Sequence, residues 1–350
     1  VMAYFRPSIE TLTAYQPGEQ PDPNAKIIKL NTNENPYPPS PNVIEALRKI
    51  GGEELRRYPH PFAEEFRQSA AEVLRVEPSW ILVGNGSDDL LTMLMRAVAG
   101  PGRTVAYPVP TYTLYRTLAA IQEAPVVEVP FDETYGLPVS ALADADPALT
   151  LVANPNSPSG TCASTDRLAD LAVRLKGILV IDEAYVEFAD ANALELVRQF
   201  DHVVVLRTLS KSHSLAGLRL GFGIANPALI HKLIKVKDSY NVDAVAAHLG
   251  AWAVRDTAHT LANVSRIRES RTKLTNQLTS LGFRVWPSQA NFVMVRPPEG
   301  NARDLYEALK QRGILVRYFN EIGLKDKLRI SVGTDEENTV LMNTLKELVI

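Results

Sequence analysis

The sequence has one cysteine, Cys162. No disulfide can close within the chain, so a disulfide-stapled secreted scaffold is excluded and a reducing compartment is expected. Cys162 has no histidine or asparagine beside it in sequence, and reads as a small semi-buried side chain rather than a nucleophile. Long apolar runs are also missing. None approaches the ~20 residues that a membrane-spanning helix needs. Nor is there an excess of one charge. The 37 Lys and Arg nearly balance 40 Asp and Glu, leaving −3, which argues against nucleic acid or an anionic membrane as partner. Internal repeats and low-complexity segments are absent. The first residues, "VMAYFRPSIE", place Arg, Pro and Glu where a secretory signal has its apolar stretch. The expectation is a soluble cytoplasmic protein.

What is present is ordinary globular composition, 45% hydrophobic and 22% charged over 350 residues. That length favours two domains and can bury a sizeable core unaided. Residues 1–40 are rich in Pro and Asn and read as an arm. Over 41–245, apolar runs alternate with amphipathic stretches: "WILVGN" (80–85), "RTVAYP" (103–108), "LTLVANP" (149–155), "GILVIDEAY" (177–185), "HVVVLRTL" (202–209) and "LRLGFGIA" (218–225). Runs buried on both faces and separated by helices predict an α/β domain with a mostly parallel central sheet. Residues 246–350 predict a smaller α+β domain, opening with one long helical stretch over 246–281.

Unusual polar chemistry clusters at the predicted strand ends, where open α/β sheets bind ligands. "GNGSDD" (84–89) ends a strand and opens a helix. Ser87 or Asp88 is a natural cap there, and the free N–H groups suit a phosphate. Thr208, Ser210 and Arg219 in "RTLSKSHSLAGLR" could close on the same phosphate. Arg219 is hemmed by apolar residues, which predicts a buried charge. Asp182 is the first charge after a buried strand and needs a cationic partner, such as a protonated ring nitrogen. Tyr185 can bond a phenolate-like oxygen beside it. Tyr112, after Pro110, can lie flat on an aromatic ring. Lys211 sits among the phosphate-binding hydroxyls. Together these describe one ligand, pyridoxal 5′-phosphate, held as a Schiff base on Lys211.

These motifs also carry a resemblance. With "LTAYQPG" (12–18), "LNTNENPYP" (30–38), "RYP" (57–59), "NPNSPSG", "DEAYVEF", "ANFVMVR" and "LRISVGT" (328–334), nearly the whole chain resembles the class II, fold type I pyridoxal-phosphate-dependent aminotransferases. Within them it resembles the histidinol-phosphate branch. The resemblance implies exchange of an amino group between L-histidinol phosphate and 2-oxoglutarate, in histidine biosynthesis. It implies catalytic roles for Lys211, Asp182 and Tyr185, ring stacking by Tyr112, and phosphate binding by Ser87, Asp88, Ser210 and Arg219. Tyr58 resembles a tyrosine that reaches the phosphate in the partner subunit of a homodimer. Arg329 and Arg317 resemble the clamp on the substrate's acidic group. Tyr15, Asn33 and Glu34 resemble residues that close over the substrate. The chain departs from the family at "NSPSG". The asparagine expected at the ring oxygen is replaced by Ser157, with Asn156 adjacent, and the expectation leans to Asn156. Asp89 also stands where relatives often carry Glu. His213 reads as a loop side chain facing solvent or the partner.

Two other activities share the scaffold, aromatic amino-acid transamination and threonine-phosphate decarboxylation. A cofactor-sensing regulator would need a DNA-binding module that residues 1–40 cannot supply.

Overall fold

The computed structural model describes residues 4–14, 18–22 and 26–349. Its largest sheet has seven strands, in the order Ile81–Gly84, Gly221–Ala225, Val203–Thr208, Ile178–Asp182, Leu149–Ala153, Val105–Val109 and Val126–Pro130. Gly221–Ala225 is antiparallel to both neighbours, and the remaining pairs are parallel. Six of these strands are the six apolar runs of the sequence.

Alternation explains why those runs are apolar throughout. Successive side chains of a strand point to opposite faces. Leu179, Ile181, Val203 and Val205 enter one buried cluster, with Phe66 and Leu249. Val180, Val204 and Leu206 enter the other, with Leu91, Leu94 and Tyr115. Helices cover both faces, so neither set tolerates polar residues. The seventh strand was not foreseen. It is an edge strand with most positions partly or fully exposed, and Glu128 in its middle masks it in the sequence.

A second core gathers around a four-stranded antiparallel sheet, in the order Arg317–Tyr318, Leu328–Ser331, Phe292–Arg296 and Arg284–Val285. The helices Thr257–Ser280, Ala302–Gln311 and Asp335–Val349 pack there. Leu30 from the N-terminal segment and Tyr185 belong to this core as well, so the arm and the strand-end loop are built into it. The long helix expected over 246–281 is two helices. Ala244–Arg255 packs in the large-sheet core. Asp256 then leaves the helical conformation, and its carboxylate caps the next helix by accepting from His259 N. Among the described residues no helix is long and apolar enough to cross a membrane.

Candidate active site

Six of the seven strands run the same way and end on one edge of the large sheet, where the antiparallel Gly221–Ala225 begins. Gly221 pairs there with both Gly84 and Thr208. Arg219, two residues before Gly221, therefore shares that edge with Ser87, Tyr112, Asp182 and Lys211. These residues line one cavity of ≈ 300 Å³. Its other wall comes from the second core and the arm: Arg317, Phe319, Arg329, Asn31, Thr32, Asn33 and Glu34.

The anion end is built on close backbone approach. The helix Ser87–Val98 is capped by Gly86 at φ 79°, with no side-chain cap. The sequence expectation of a Ser87 or Asp88 cap is therefore corrected: both lie in the first turn, and its N–H groups have no capping side chain. Such a helix end favours an anion. Gly86 is required for a second reason, since a Cβ there would lie 2.7 Å from Arg219 Nη2. At Gly221 a Cβ would lie 2.5 Å from Ser87 N. Arg219 Nη1 donates to Ser210 Oγ at 3.1 Å, and Thr208 Oγ1 donates to the same oxygen at 3.0 Å. Arg219 is not the buried charge expected. Its side chain is 46% exposed, and it faces Asp88 at 3.5 Å. Asp89 is structural, with Oδ2 accepting from Asn85 N and Asn241 Nδ2.

At the other end, Asp182 is buried. Its Oδ1 accepts from Ala184 N at 3.2 Å and its Oδ2 from the Tyr115 hydroxyl at 2.9 Å. Burial pushes its pKa up to about 6; the Tyr115 bond opposes the shift, and Asp88 and Glu183 reinforce it. A carboxylate in this state gains from a positively charged N–H. Between the two ends, Lys211 Nζ donates to Thr32 O at 3.3 Å and lies 5.7 Å from the Tyr185 ring centre. The Tyr185 hydroxyl accepts from Asn33 Nδ2 at 2.9 Å. Asn33 is itself locked at φ 56° by Ser331 and Asn291. An uncapped helix end with an arginine, a buried carboxylate, a phenol and an amine in one cavity fit pyridoxal phosphate.

Arg317 and Arg329 stand directly opposite each other on adjacent strands. Like charges so placed repel, and an anion between them relieves this. Arg329 donates to Ser157 Oγ at 3.0 Å and Asn31 O at 2.9 Å. Glu34 accepts from Lys29 and from Thr32. Burial would raise its pKa, but those bonds outweigh it and hold the carboxyl below its usual range.

Residues 25–345 match the family described as aminotransferase class I and II. The chain belongs to that family. This aminotransferase is 54% identical to histidinol-phosphate aminotransferase 1 of Trichormus variabilis, with 99% of each chain covered. It is 46% identical to the histidinol-phosphate aminotransferase of Citrifermentans bemidjiense, again over 99% of each. A crystal structure of histidinol-phosphate aminotransferase from Sinorhizobium meliloti, in complex with pyridoxal 5′-phosphate, superposes with TM-score 0.90 at 26% identity. That match covers 100% of this chain and 98% of the other. The fold type I architecture expected from sequence is the one found.

Two sequence-assigned site residues of the aminotransferase, Asn156 and Tyr58, fall outside the cavity. Asn156 is corrected to a structural role. Its Oδ1 accepts from Thr111, and its Nδ2 donates to Pro110 O and Ser159 Oγ, so its amide is engaged away from the cavity that Ser157 lines. Tyr58 is 82% exposed, stacks on Tyr240 and lines a separate groove with Trp252. Tyr15 lies outside the described residues. His213 is half-buried rather than facing solvent. Its Nδ1 meets Ser212 Oγ, and burial, then the Arg207 charge, lowers its pKa to about 4. Burial pushes the Cys162 thiol up to about 11, which disfavours the thiolate. Sequence reasoning missed Tyr115, whose one signal is its place three residues after Tyr112, in the first turn of the helix Leu114–Ile121.

Proposed function

We propose that this chain is a pyridoxal-phosphate-dependent histidinol-phosphate aminotransferase of histidine biosynthesis. It moves the amino group of L-histidinol phosphate to 2-oxoglutarate, giving imidazole-acetol phosphate and L-glutamate. The observation that carries this reading is the cavity itself. It holds one lysine, with Asp182 and Arg219 on one side and the Arg317–Arg329 pair on the other. When bound, pyridoxal phosphate supplies an electrophilic carbon for amines and a sink for the electron pair left at Cα. Ser87, Thr208, Ser210 and Arg219 would hold its phosphate, and Tyr112 its ring face. Tyr185 would donate to the ring oxygen, with Ser157 beside it. Asp182 would hold a proton on the ring nitrogen. Lys211 Nζ would take the Cα proton and return it to C4′ of the cofactor, across the shared nitrogen. The first test is a panel of amino donors with 2-oxoglutarate. Histidinol phosphate should be preferred over phenylalanine, tyrosine and threonine phosphate, and preference for any of these others would reject the assignment.

Arg317 and Arg329 should divide the work unevenly. A phosphate dianion profits from both, whereas a carboxylate needs chiefly one. A charge-assisted hydrogen bond contributes about 1.5–3 kcal/mol, so its loss lowers kcat/KM on the order of ten- to a hundredfold. Arg329→Gln should impair both half-reactions. Arg317→Gln should weaken the histidinol-phosphate half more than the glutamate half in single-turnover kinetics. Equal losses from Arg317→Gln would mean that it only steadies its loop.

The working form is proposed to be a cytoplasmic homodimer in which Tyr58 serves the partner's site. The exposed aromatic patch of Tyr58, Tyr240 and Trp252 supports this, since such patches mark interaction surfaces. Mixing inactive Lys211→Ala chains with Tyr58→Phe chains should restore activity, because one site per hybrid then carries neither lesion. No recovery in verified hybrids would argue for self-contained sites.

A further inference from the structure

Tyr115 is wholly buried on the helix Leu114–Ile121. Its hydroxyl donates to Asp182 Oδ2 at 2.9 Å. Its ring meets that of Tyr112 edge-on, with 5.7 Å between centroids and 82° between planes. Tyr112 donates to Asp88 Oδ1 at 3.2 Å, and Asp88 faces Arg219. One buried side chain thus touches both the carboxylate and the aromatic wall of the cavity.

We propose that Tyr115 is a positioning residue of this aminotransferase, holding Asp182 ionised and facing the cavity while its ring edge sets the plane of Tyr112. The proposal rests on reading the cavity as the pyridoxal-phosphate site.

A buried phenol needs an acceptor, and a donor on one carboxylate oxygen favours the charged form. The other groups that act on Asp182 are Asp88 from the helix Ser87–Val98, and Glu183 and the Ala184 N–H from its own segment. Lys211 and Arg219 line the same cavity. Glu183 is neutralised by Arg207 at 2.9 Å and Asp88 is partly offset by Arg219. Tyr115 is therefore the side chain that bonds Asp182 directly. Burial and the Asp182 charge push the Tyr115 pKa well above its ordinary value, so the proton stays on the phenol and Asp182 accepts.

The test compares wild type, Tyr115→Phe, and a chain with 3-fluorotyrosine at position 115. The readouts are the pyridoxal-phosphate dissociation constant and the bound-cofactor absorbance between pH 5 and 9. The cofactor's own titrations are common to all three, so differences between them isolate the protein. Affinity should fall as Asp182 protonates. Tyr115→Phe should move that midpoint up by about one pH unit, a tenfold change in the protonation equilibrium. It should also lower kcat more than it changes KM. 3-Fluorotyrosine, a stronger donor, should move the midpoint down. Unmoved midpoints, or shifts of the same sign, with only a lower Tm would overturn the role. If Tyr115→Phe does not fold, the direction of the fluorotyrosine shift decides alone. Wild type that binds no pyridoxal phosphate would sink the reading of the cavity as well, whereas binding with an unmoved midpoint would sink only the role of Tyr115.

Discussion

Lys211→Ala is expected to lower transamination about 10²–10⁴-fold or more, the usual contribution of a positioned acid–base group. Lys211 is the one lysine among the cavity-lining residues; the other basic side chains there are Arg219, Arg317 and Arg329. A guanidinium stays protonated and cannot take a proton from Cα. Lys211→Arg should therefore be as inactive as Lys211→Ala, although it keeps the charge. A small primary amine added to the alanine variant should recover part of the rate, because the cavity left by the side chain can admit it. Both variants should fold normally, since the half-buried Lys211 ammonium makes one 3.3 Å bond to the Thr32 carbonyl, a ring contact with Tyr185 and an attraction to Glu34, all of them to residues lining the cavity. Retention of a tenth or more of wild-type activity by either variant would mean that the proton is moved by another group.

Asp182→Asn should lower transamination about 10²–10³-fold, by analogy with the loss of a preorganised electrostatic partner. It should also stabilise the cofactor-free protein at neutral pH. The sign follows from the carboxyl's pKa, which is 3.8 ordinarily and about 6 in the fold. A group whose folded pKa is raised binds its proton more tightly when folded. Stability is then highest below the ordinary value, falls as pH rises between the two values, and stays lower above the upper one. A shift of this size amounts to on the order of 3 kcal/mol. Asparagine has no charge to bury. The variant should therefore be more stable than wild type by about 1–3 kcal/mol above pH 7, with the difference vanishing near pH 4. Denaturant unfolding of the cofactor-free proteins at the two pH values measures it. A variant less stable than wild type at pH 7 would mean that Asp182 is not a desolvated anion.

Most of the large sheet was legible because strands buried on both faces leave continuous apolar runs, and the polar residues that interrupt those runs at Asp182, Ser87 and Lys211 stand out against them. Val126–Pro130 was not legible because an edge strand has no second buried face to enforce the pattern. The break at Asp256 was hidden because one capping residue does not disturb an apolar periodicity that continues on both sides. Within the site, chemistry was easier to foresee than orientation. Asn156 and Ser157 are adjacent, and only the folded turn decides which faces the cavity. Arg219 looked buried from its neighbours in sequence, yet its backbone at φ 54° lifts it to the rim beside Gly86. Tyr115 carries no motif signal of its own, and its role emerges only when its helix packs beneath Asp182.

The central assignment is the covalent attachment of pyridoxal phosphate at Lys211. Its most direct test is borohydride reduction of the cofactor-loaded protein, followed by peptide mapping. The modified residue should be Lys211, in the segment "TLSKSHSLAGLR", with the aldimine absorbance lost on reduction. Modification of a different lysine, or a protein that stays colourless after incubation with pyridoxal phosphate, would contradict it.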